Sequence, residues 1–455
     1  MMAEKTTIEQ LKEKLVRLYQ DNKTSIDANV GEGIKSIRSK ALADFEKLGI
    51  PTRKVEAYRY TNLEKVLTEN YNAEFSAELF KIDLKEVFKC EIPELDTYVV
   101  LVLNGFYYHD NKITGLPEGV IITSLAQASV SYPEIFNAHY GKYVNTGEDS
   151  LAALNSFFAQ DGVFIYIPEH VKIDKPVQII NLCFSFKNLR VTGRNLIVAE
   201  KGSELQVIVC DHTLCRRKYL SNSLTEIFAG AKTKIEYSKV QNENNLSAQL
   251  SNVYFHQEED SQVVSNIVSL HGGFIRNNIF VNLSGERAEN HMYGLFIGDS
   301  NQHISNYTNV NHAKPGCHSN QLFKGILNEN ATGAFNGKIY VSRDAQKTLA
   351  YQKNNNILLS PSAKMNSKPQ LEIYADDVKC SHGATVGQLD EDALFYLRSR
   401  GIREAEARYL LMYAFANGVI SNIGTRHLRD RIIDLVDKRL RGELSKCNEC
   451  EIHCG

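Results

Sequence analysis

The stretch that decides the fold is 195–209, NLIVAEKGSELQVIV, in which two apolar runs flank a turn sequence. The runs, 195–198 and 205–209, are short and rich in Leu, Ile and Val, which is typical of β-strands. Gly202 between them favours a turn. Further runs of this kind are 98–102, 163–167, 177–180, 233–237, 262–264, 278–281 and 338–341. This rhythm begins near Thr97 and predicts a mainly β protein.

Two all-β architectures fit such a pattern: packed sandwiches, or a stack of coils. The stretch is too long for one sandwich, and no linker divides it into two. No proline lies between Pro176 and Pro315, so nothing in that segment prevents continuous strand pairing. Asparagines are frequent in the later part, as at 277–278 and 354–356. We expect them to stack at the corners of successive coils. A parallel β-helix (β-solenoid) over residues 97–387 therefore fits best.

Helical patterns flank this β region on both sides. Residues 1–96 include two amphipathic helices, separated by a polar loop over 21–33, and the second helix ends near Gly49. Residues 388–446 return to helical spacing after the strands. The last segment, 447–455, is a Cys-rich tail. Because the ends of a solenoid expose unpaired strand edges, we expect the terminal helices to cover both ends and to serve as docking surfaces.

Composition narrows the function classes. The 455-residue chain has a formal net charge of −2 and no block of Lys or Arg, which disfavours a dedicated nucleic-acid binder. The sequence contains no run of about 18 apolar residues, so it predicts no membrane span. The first residues lack the basic and apolar regions of a secretory signal, so we expect a cytoplasmic protein. The absence of Trp and of a signal disfavours a polysaccharide-cleaving β-helix enzyme.

The common catalytic signatures are absent. Residues 333–339, GAFNGKI, have one residue too few between the glycines for a phosphate loop, and Ile339 stands where Ser or Thr is needed. No nucleophile elbow and no zinc-protease helix occurs. We therefore predict a non-catalytic subunit, and any ATP-driven step requires an ATPase partner.

The strongest candidate site lies where the β pattern ends. Cys380 and His382 are two residues apart, so on a strand they project from one face. A thiolate and an imidazole there could bind iron or zinc transiently, and Lys379 is expected to favour the thiolate. The residues alone also fit an ordinary thiol beside a hydrogen-bonded histidine.

Three other groups contain thiols. Cys210 and His212 form a second same-face pair, although the preceding apolar run favours a core role for Cys210. Cys317 follows Gly316 in a predicted turn. In the tail, Cys447, Cys450 and Cys454 stand close to one imidazole and begin with a Cys-x-x-Cys pair. Such a pair can chelate a soft ion, so the tail is a candidate for metal or cluster contact.

Three segments resemble the SufB/SufD family of iron–sulfur cluster assembly proteins. Residues 51–61, PTRKVEAYRYT, resemble the family's N-terminal signature, although Val55 and Tyr58 replace its usual tryptophans. Residues 380–390, CSHGATVGQLD, are similar to its hallmark at the end of the solenoid. Residues 394–402, LFYLRSRGI, with the alanines and charged residues that follow, match its C-terminal helical signature.

The resemblance implies a right-handed parallel β-helix between two helical regions. It implies a complex in which a SufB-like paralogue joins through the solenoids and SufC-type ABC ATPases dock at the C-terminal helices. A cluster is expected to form near the interface of the two solenoids, where His382 and Cys380 would act. No cofactor is expected to stay tightly bound, and the cluster would be transient.

Within the family, the SufD pattern fits better than the SufB pattern. Ser381 and Gly383 flank His382, where SufB sequences place acidic residues. A SufB-like paralogue remains an alternative, as does a purely structural adaptor without metal ligands. A homodimer is a possible state of the isolated chain.

Overall fold

The fold is a β-solenoid of about eight turns with helices towards both termini, as seen in a computed structural model. The structure describes residues 7–76, 96–108 and 113–443. The predicted mainly β solenoid with flanking helices is thereby confirmed, and its right hand stays a prediction. The strands of the described residues are β1 Asn72–Ala73, β2 Tyr98–Leu103, β3 Phe106–Tyr107, β4 Ile121–Ser124, β5 Gly162–Ile167, β6 Val177–Cys183, β7 Leu189–Ala199, β8 Glu204–Thr213, β9 Tyr219–Ala229, β10 Lys234–Asn242, β11 Ala248–Gln257, β12 Gln262–His271, β13 Phe274–Leu283, β14 Glu289–Gly298, β15 His303–His312, β16 His318–Leu327, β17 Thr332–Val341, β18 Leu349–Leu358, β19 Lys364–Ile373 and β20 Lys379–Gly387.

Successive strands alternate between two sheets, so each turn of the solenoid adds one strand to each sheet. Sheet A runs in the order β19-β17-β15-β13-β11-β9-β7-β5-β4, and sheet B runs β20-β18-β16-β14-β12-β10-β8-β6-β2-β3. Neighbours pair in parallel, except for the antiparallel pairs β2–β3 and β4–β5 at the first end. The other end stops at the parallel strands β19 and β20.

Residues 207–210 of β8 are buried on both faces of sheet B, whereas Gln206 just before them is exposed. Val207 and Val209 point inward into the main core of the solenoid. Ile208 and Cys210 point outward and pack beneath the C-terminal helices. Burial of both faces explains why residues 207–210 are all apolar and do not alternate with polar residues.

Helices cover the outer faces of the two sheets. Two N-terminal helices and a helix of the 150s pack on sheet A, and the last helices pack on β12, β14 and β16 of sheet B. The α-helices of the described residues are α1 Thr7–Asp27, α2 Glu32–Leu48, α3 Glu64–Leu67, α4 Leu125–Ser131, α5 Pro133–His139, α6 Ser150–Phe158, α7 Glu391–Ser399, α8 Glu404–Ile420 and α9 Arg426–Leu440.

Three expectations about the helices need correction. The polar loop predicted over 21–33 is only a few residues long, because α1 continues to Asp27. The predicted β core 97–387 contains the helices α4, α5 and α6, whose sequences are too short for helical periodicity to be visible. The C-terminal helices do not cover the end of the solenoid: they lie along the outer face of sheet B, where an apolar stripe is available to bury them.

A buried ion pair fastens the helical insertion to sheet A. The Arg194 guanidinium on β7 contacts the Glu226 carboxylate on β9, and both side chains are fully buried. Glu226 also accepts hydrogen bonds from the backbone N–H groups of Gly141 (3.0 Å) and Tyr143 (3.2 Å). Arg194 donates to Ser156 on α6 at 3.0 Å. Both charged groups thus have further hydrogen-bond partners, which a buried pair requires, although Arg194 Nε has none among the described residues.

The asparagine ladders exist, but they lie along the strands and not at the corners. Asn278 Nδ2 donates to Asn252 Oδ1 at 2.8 Å, and Asn252 Nδ2 donates to Asn222 Oδ1 at 3.3 Å. At the turns the left-handed positions are taken by other residues, such as Lys232 and Glu329. The ladders therefore satisfy buried amides between turns, while exposed turns accept several residue types.

The length of one turn varies along the solenoid. Asn252 and Asn278 are ladder neighbours 26 residues apart, whereas His303 and Thr332 are neighbours 29 residues apart. This variation explains why the sequence shows no fixed repeat.

Candidate functional site

The candidate pair lies on β20, the last strand of sheet B. Cys380 pairs in register with Ala350 and His382 pairs with Gln352, both on β18. Among the described residues no strand pairs with the other edge of β20. This strand therefore presents unpaired backbone groups beside the two candidate side chains.

The prediction that Cys380 and His382 share one face agrees with the strand geometry. Cys380 packs towards the solenoid interior, against a cluster that includes Ile339 on β17 and Ala350 on β18. Residues two apart on a strand point the same way, so His382 lies on the same inner face. No further turn covers it in the described residues, and its side chain is exposed. The pair is thus located at the open mouth of the solenoid.

Cys380 is held as a protonated thiol. Its half-buried position raises the pKa of the Cys380 thiol above its ordinary value, and the backbone N–H of Ala350 offsets this only in part. The expected effect of Lys379 is absent. Adjacent residues on a strand point to opposite faces, and the charge of Lys379 is not among the causes of the shift in the pKa of Cys380. Cys380 needs a metal ion or a new cationic neighbour to ionise readily.

Polar side chains line the interior beside the pair. The Gln352 amide donates to Gln321 Oε1 at 3.2 Å, and Thr308 Oγ1 donates to the same oxygen at 2.8 Å. The sequence argument missed this column. The signal was present, because Gln352 stands one turn before His382 in the same register.

The helix that follows β20 carries an exposed aromatic pair. On α7, Phe395 and Tyr396 are 73% and 56% exposed, while Leu394 packs inward. Asp390 caps α7 by accepting the N–H of Ala393 at 3.0 Å. Two large exposed aromatics on one short helix are unusual on a free surface and are typical of an interaction site.

The other thiol candidates are placed differently. Cys210 is buried beneath the C-terminal helices, and burial lowers the pKa of the neighbouring His212. Cys317 is fully buried in the main core and donates to the Gly285 carbonyl at 3.3 Å. Both cysteines act as core residues. Within the described residues no group of three or more His, Cys, Asp or Glu side chains is arranged to hold a metal ion.

The tail cysteines Cys447, Cys450 and Cys454 lie outside the described residues. Their proposed contact with metal stays a prediction. Among the helices that the structure describes, none combines the length and apolar character needed to cross a bilayer.

Family models match nearly the whole chain. Residues 184–415 match the SufBD core domain of the SUF system for iron–sulfur cluster assembly, and residues 9–179 match the SufBD protein N-terminal region. The core match covers more than half of the chain. The chain belongs to the SufBD family.

Individual relatives agree with this membership. SufD of Escherichia coli is 28% identical over 87% of this chain and 90% of its own length. A SufBD family protein of Synechocystis is 27% identical over 86% of this chain and 88% of its own length. The chloroplastic protein ABCI7 of Arabidopsis thaliana is 27% identical over 84% and 81% of the respective chains. The chain is therefore an iron–sulfur cluster assembly protein of the SufBD family.

Membership gives the sequence signatures a structural context. The SufBD core match begins in the early turns and extends through β20 into α8. It includes Cys380 and His382 as well as the aromatic pair of α7. The N-terminal signature 51–61 lies against the outer face of sheet A, where Thr61 Oγ1 donates to Ser305 Oγ at 2.9 Å.

Proposed function

We propose that this chain is a SufD-like subunit of a SufBCD complex, a scaffold on which iron–sulfur clusters are assembled and then released. The observation that supports this most directly is the position of His382, exposed on the inner face of the edge strand β20, which pairs only with β18 among the described residues. An imidazole there can approach a metal ion held partly by another protein. A neutral imidazole is a common ligand of iron.

Cys380 would act after His382. Its thiol is packed against apolar side chains, and its raised pKa keeps it from competing for stray metal. Approach of an iron ion would favour the thiolate, because a coordinating thiol loses its proton. The two side chains would thus contribute to a transient cluster. The chain itself would hold no cofactor tightly and would catalyse no reaction alone.

Two surfaces suit the two proposed partners. The free edge of β20 can pair with a strand of a SufB-like paralogue, since open edges favour strand addition. The exposed Phe395 and Tyr396 on α7 suit an apolar pocket of a SufC-type ABC ATPase. The helices α8 and α9 pack along sheet B, so movement of a docked ATPase could reach β20 through that sheet.

A second candidate, a structural adaptor without metal ligands, is favoured by the packing of Cys380. A half-buried thiol in an aliphatic cluster is also what a purely structural cysteine shows. A SufB-like role is less favoured, because Ser381 and Gly383 flank His382 and SufD of E. coli is among the relatives.

The first experiment identifies partners. The chain is purified anaerobically from its own cells under gentle conditions, and every co-purifying protein is identified. We expect an ABC ATPase and a second β-solenoid protein in fixed ratio. Recovery of the chain without either partner would contradict the proposed complex.

The second experiment tests the site on the purified complex. We expect His382→Ala to lower reconstituted iron at least about tenfold, since losing groups at a metal site typically costs about 10–100-fold in affinity. Iron content and the visible absorption spectrum measure the effect. Ser381→Ala is the matched control, because this neighbour points to the opposite face of the same strand. Undiminished assembly in both His382→Ala and Cys380→Ala would favour the adaptor.

A further inference from the structure

A second site lies on the outer face of sheet A, whereas β20 belongs to sheet B. It is a cleft of about 860 Å³ between the N-terminal signature with α3 and the strand starts of sheet A. This volume lies within the usual range for small-molecule sites. The proposed assembly role uses none of these residues.

The floor of the cleft is one column of paired residues. Ala248, Phe274, His303, Thr332 and Lys364 are the first residues of β11, β13, β15, β17 and β19, and each pairs in register with the next. The solenoid therefore stacks a ring, an imidazole, a hydroxyl and an ammonium group in a fixed order. A floor built from paired strands is rigid, which favours a preformed site.

The opposite wall is the signature segment, fastened by Arg276 of β13. The buried Arg276 guanidinium donates to the Ala57 carbonyl at 2.8 Å and lies 4.6 Å from the centre of the Tyr58 ring. Thr61 donates to Ser305 on β15, and Lys368 on β19 contacts the Glu56 carboxylate. The wall is thus tied to three strands of the floor.

Positive charge dominates the lining of the cleft. Arg53, Arg59 and Lys65 extend from the wall, and Lys364 extends from the floor. Lys218 also lines the cleft, but it is paired with Glu69 at 2.8 Å. Among the described residues, Glu69 is the one acidic side chain of the lining. The remaining four cations therefore outnumber this one carboxylate in the lining.

His303 sits in the floor beneath these cations. Its ring packs 5.0 Å from Phe274, and Nδ1 is 2.8 Å from Thr332 Oγ1. Nε2 is buried and has no hydrogen-bond partner in the part of the chain that the structure describes. Burial, together with the charges of Arg276, Lys65 and Arg53, lowers the pKa of His303 to about 4. The ring is therefore neutral at physiological pH and adds no charge to the cationic lining.

We propose that this cleft binds a small phosphorylated ligand, held by Arg53, Arg59, Lys65 and Lys364. A guanidinium group can donate two parallel hydrogen bonds to a phosphate group. An ammonium group attracts the phosphate as a point charge and requires no particular orientation. Tyr60 and Tyr71 line the same cleft and offer surfaces for a ring attached to the phosphate. Inorganic pyrophosphate and a nucleotide share this chemistry.

The test uses the full-length chain and isothermal titration calorimetry with pyrophosphate, ADP and adenosine. We expect pyrophosphate or ADP to bind and adenosine not to bind. Tighter binding of ADP identifies a phosphate ester as the natural ligand, whereas equal binding identifies an inorganic phosphate. Failure of both anions to bind the wild-type chain would overturn the proposal.

A charge-matched pair of variants locates the binding. Arg53→Glu with Lys65→Glu should weaken anion binding at least about tenfold, because two favourable contacts become repulsive. Lys23→Glu with Arg343→Glu makes the same change of charge at exposed positions outside the cleft and should leave the affinity within about twofold. Equal losses in the two pairs would show non-specific attraction and overturn the proposal. Thermal melting of each variant confirms that it is folded.

Discussion

The strands β11 and β20 both pair in parallel with their neighbours in the solenoid, yet their surroundings differ. Nine of the ten residues of β11 are buried. In β20 only Cys380 is even partly shielded, and the other eight residues are exposed. β11 has a strand on each side and helices over its outer face. β20 has a strand on one side and an open interior face.

The comparison shows that the tightly packed turns and the turn with an open strand edge lie in different parts of this molecule. The early and middle turns are closed by antiparallel strands at one end and by helices on both outer faces. Within residues 7–76, 96–108 and 113–443, the last turn has strand partners on one side only. A solenoid is stabilised by contacts between neighbouring turns, so its last turn is free to meet a partner.

The largest expected difference concerns ion pairs. Glu226→Ala should lower the free energy of unfolding by about 3–5 kcal/mol, because it leaves the fully buried Arg194 uncompensated. At the open end, Lys338 and Glu372 form a partly exposed pair at 2.8 Å. Glu372→Ala should cost at most about 1 kcal/mol. Urea unfolding measures the loss of stability in both variants. Equal losses would mean that the buried pair of β7 and β9 and the pair near the open end do not differ in this way.

A smaller effect is expected when one apolar substitution is made at both strands. Val253 on β11 is 2% exposed, and Val386 on β20 is 46% exposed. Val253→Ala should destabilise the protein by about 2 kcal/mol through lost burial and a cavity. Val386→Ala should change stability by less than about 0.5 kcal/mol. The same unfolding measurement compares them, and a large cost at Val386 would show that β20 is packed in solution.

A third expected effect is spread over a pH range, and it belongs to the interior of the solenoid. Burial, with the nearby Asp211 carboxylate, raises the pKa of Glu243 from 4.5 to about 7. Below pH 4.5 the carboxyl is protonated in both folded and unfolded chains, so its contribution to stability is fully present. Between pH 4.5 and 7 the unfolded chain loses this proton first, and stability falls by at most about 1.4 kcal/mol per pH unit.

The Glu243→Gln variant isolates this contribution, because the amide does not titrate. The difference in unfolding free energy between wild type and variant should slope between pH 4.5 and 7 and be flat above pH 7. If this difference in unfolding free energy were independent of pH, the Glu243 carboxyl would be exposed to water and would titrate as it does in the unfolded chain. Buried histidines such as His312, whose pKa is lowered, contribute equally to the pH dependence of wild type and variant. Their contribution therefore cancels in the difference.

Most of the fold could be predicted from local patterns. Runs such as 207–209 identify strands because both faces of sheet B are buried there. The helices α4 to α6 escaped prediction because each is short and α6 is buried all round, so no polar face marks it. The sequence also did not predict that helices cover the outer sheet faces. In the sequence, apolar residues beneath a covering helix cannot be distinguished from residues of the solenoid core.

The candidate site was predictable in part. Spacing alone places Cys380 and His382 on one face. It does not show that the face is the inner one, or that no further turn follows. The pKa direction of Cys380 depends on the packing of Ile339 and Ala350, which come from other turns. The cationic cleft likewise joins residues far apart in the sequence, such as Arg53 and Lys364, and no single segment reveals it.

The attachment of the signature segment has a consequence for how the protein is made. Thr61 is fixed by Ser305, 244 residues later, and Glu56 is fixed by Lys368, 312 residues later. A ribosome adds about 5–20 residues per second, so these partners emerge roughly 10 to 60 seconds after the segment itself. The coils between them can close turn by turn during that interval. We expect one of the first segments to leave the ribosome to be among the last to reach its final place.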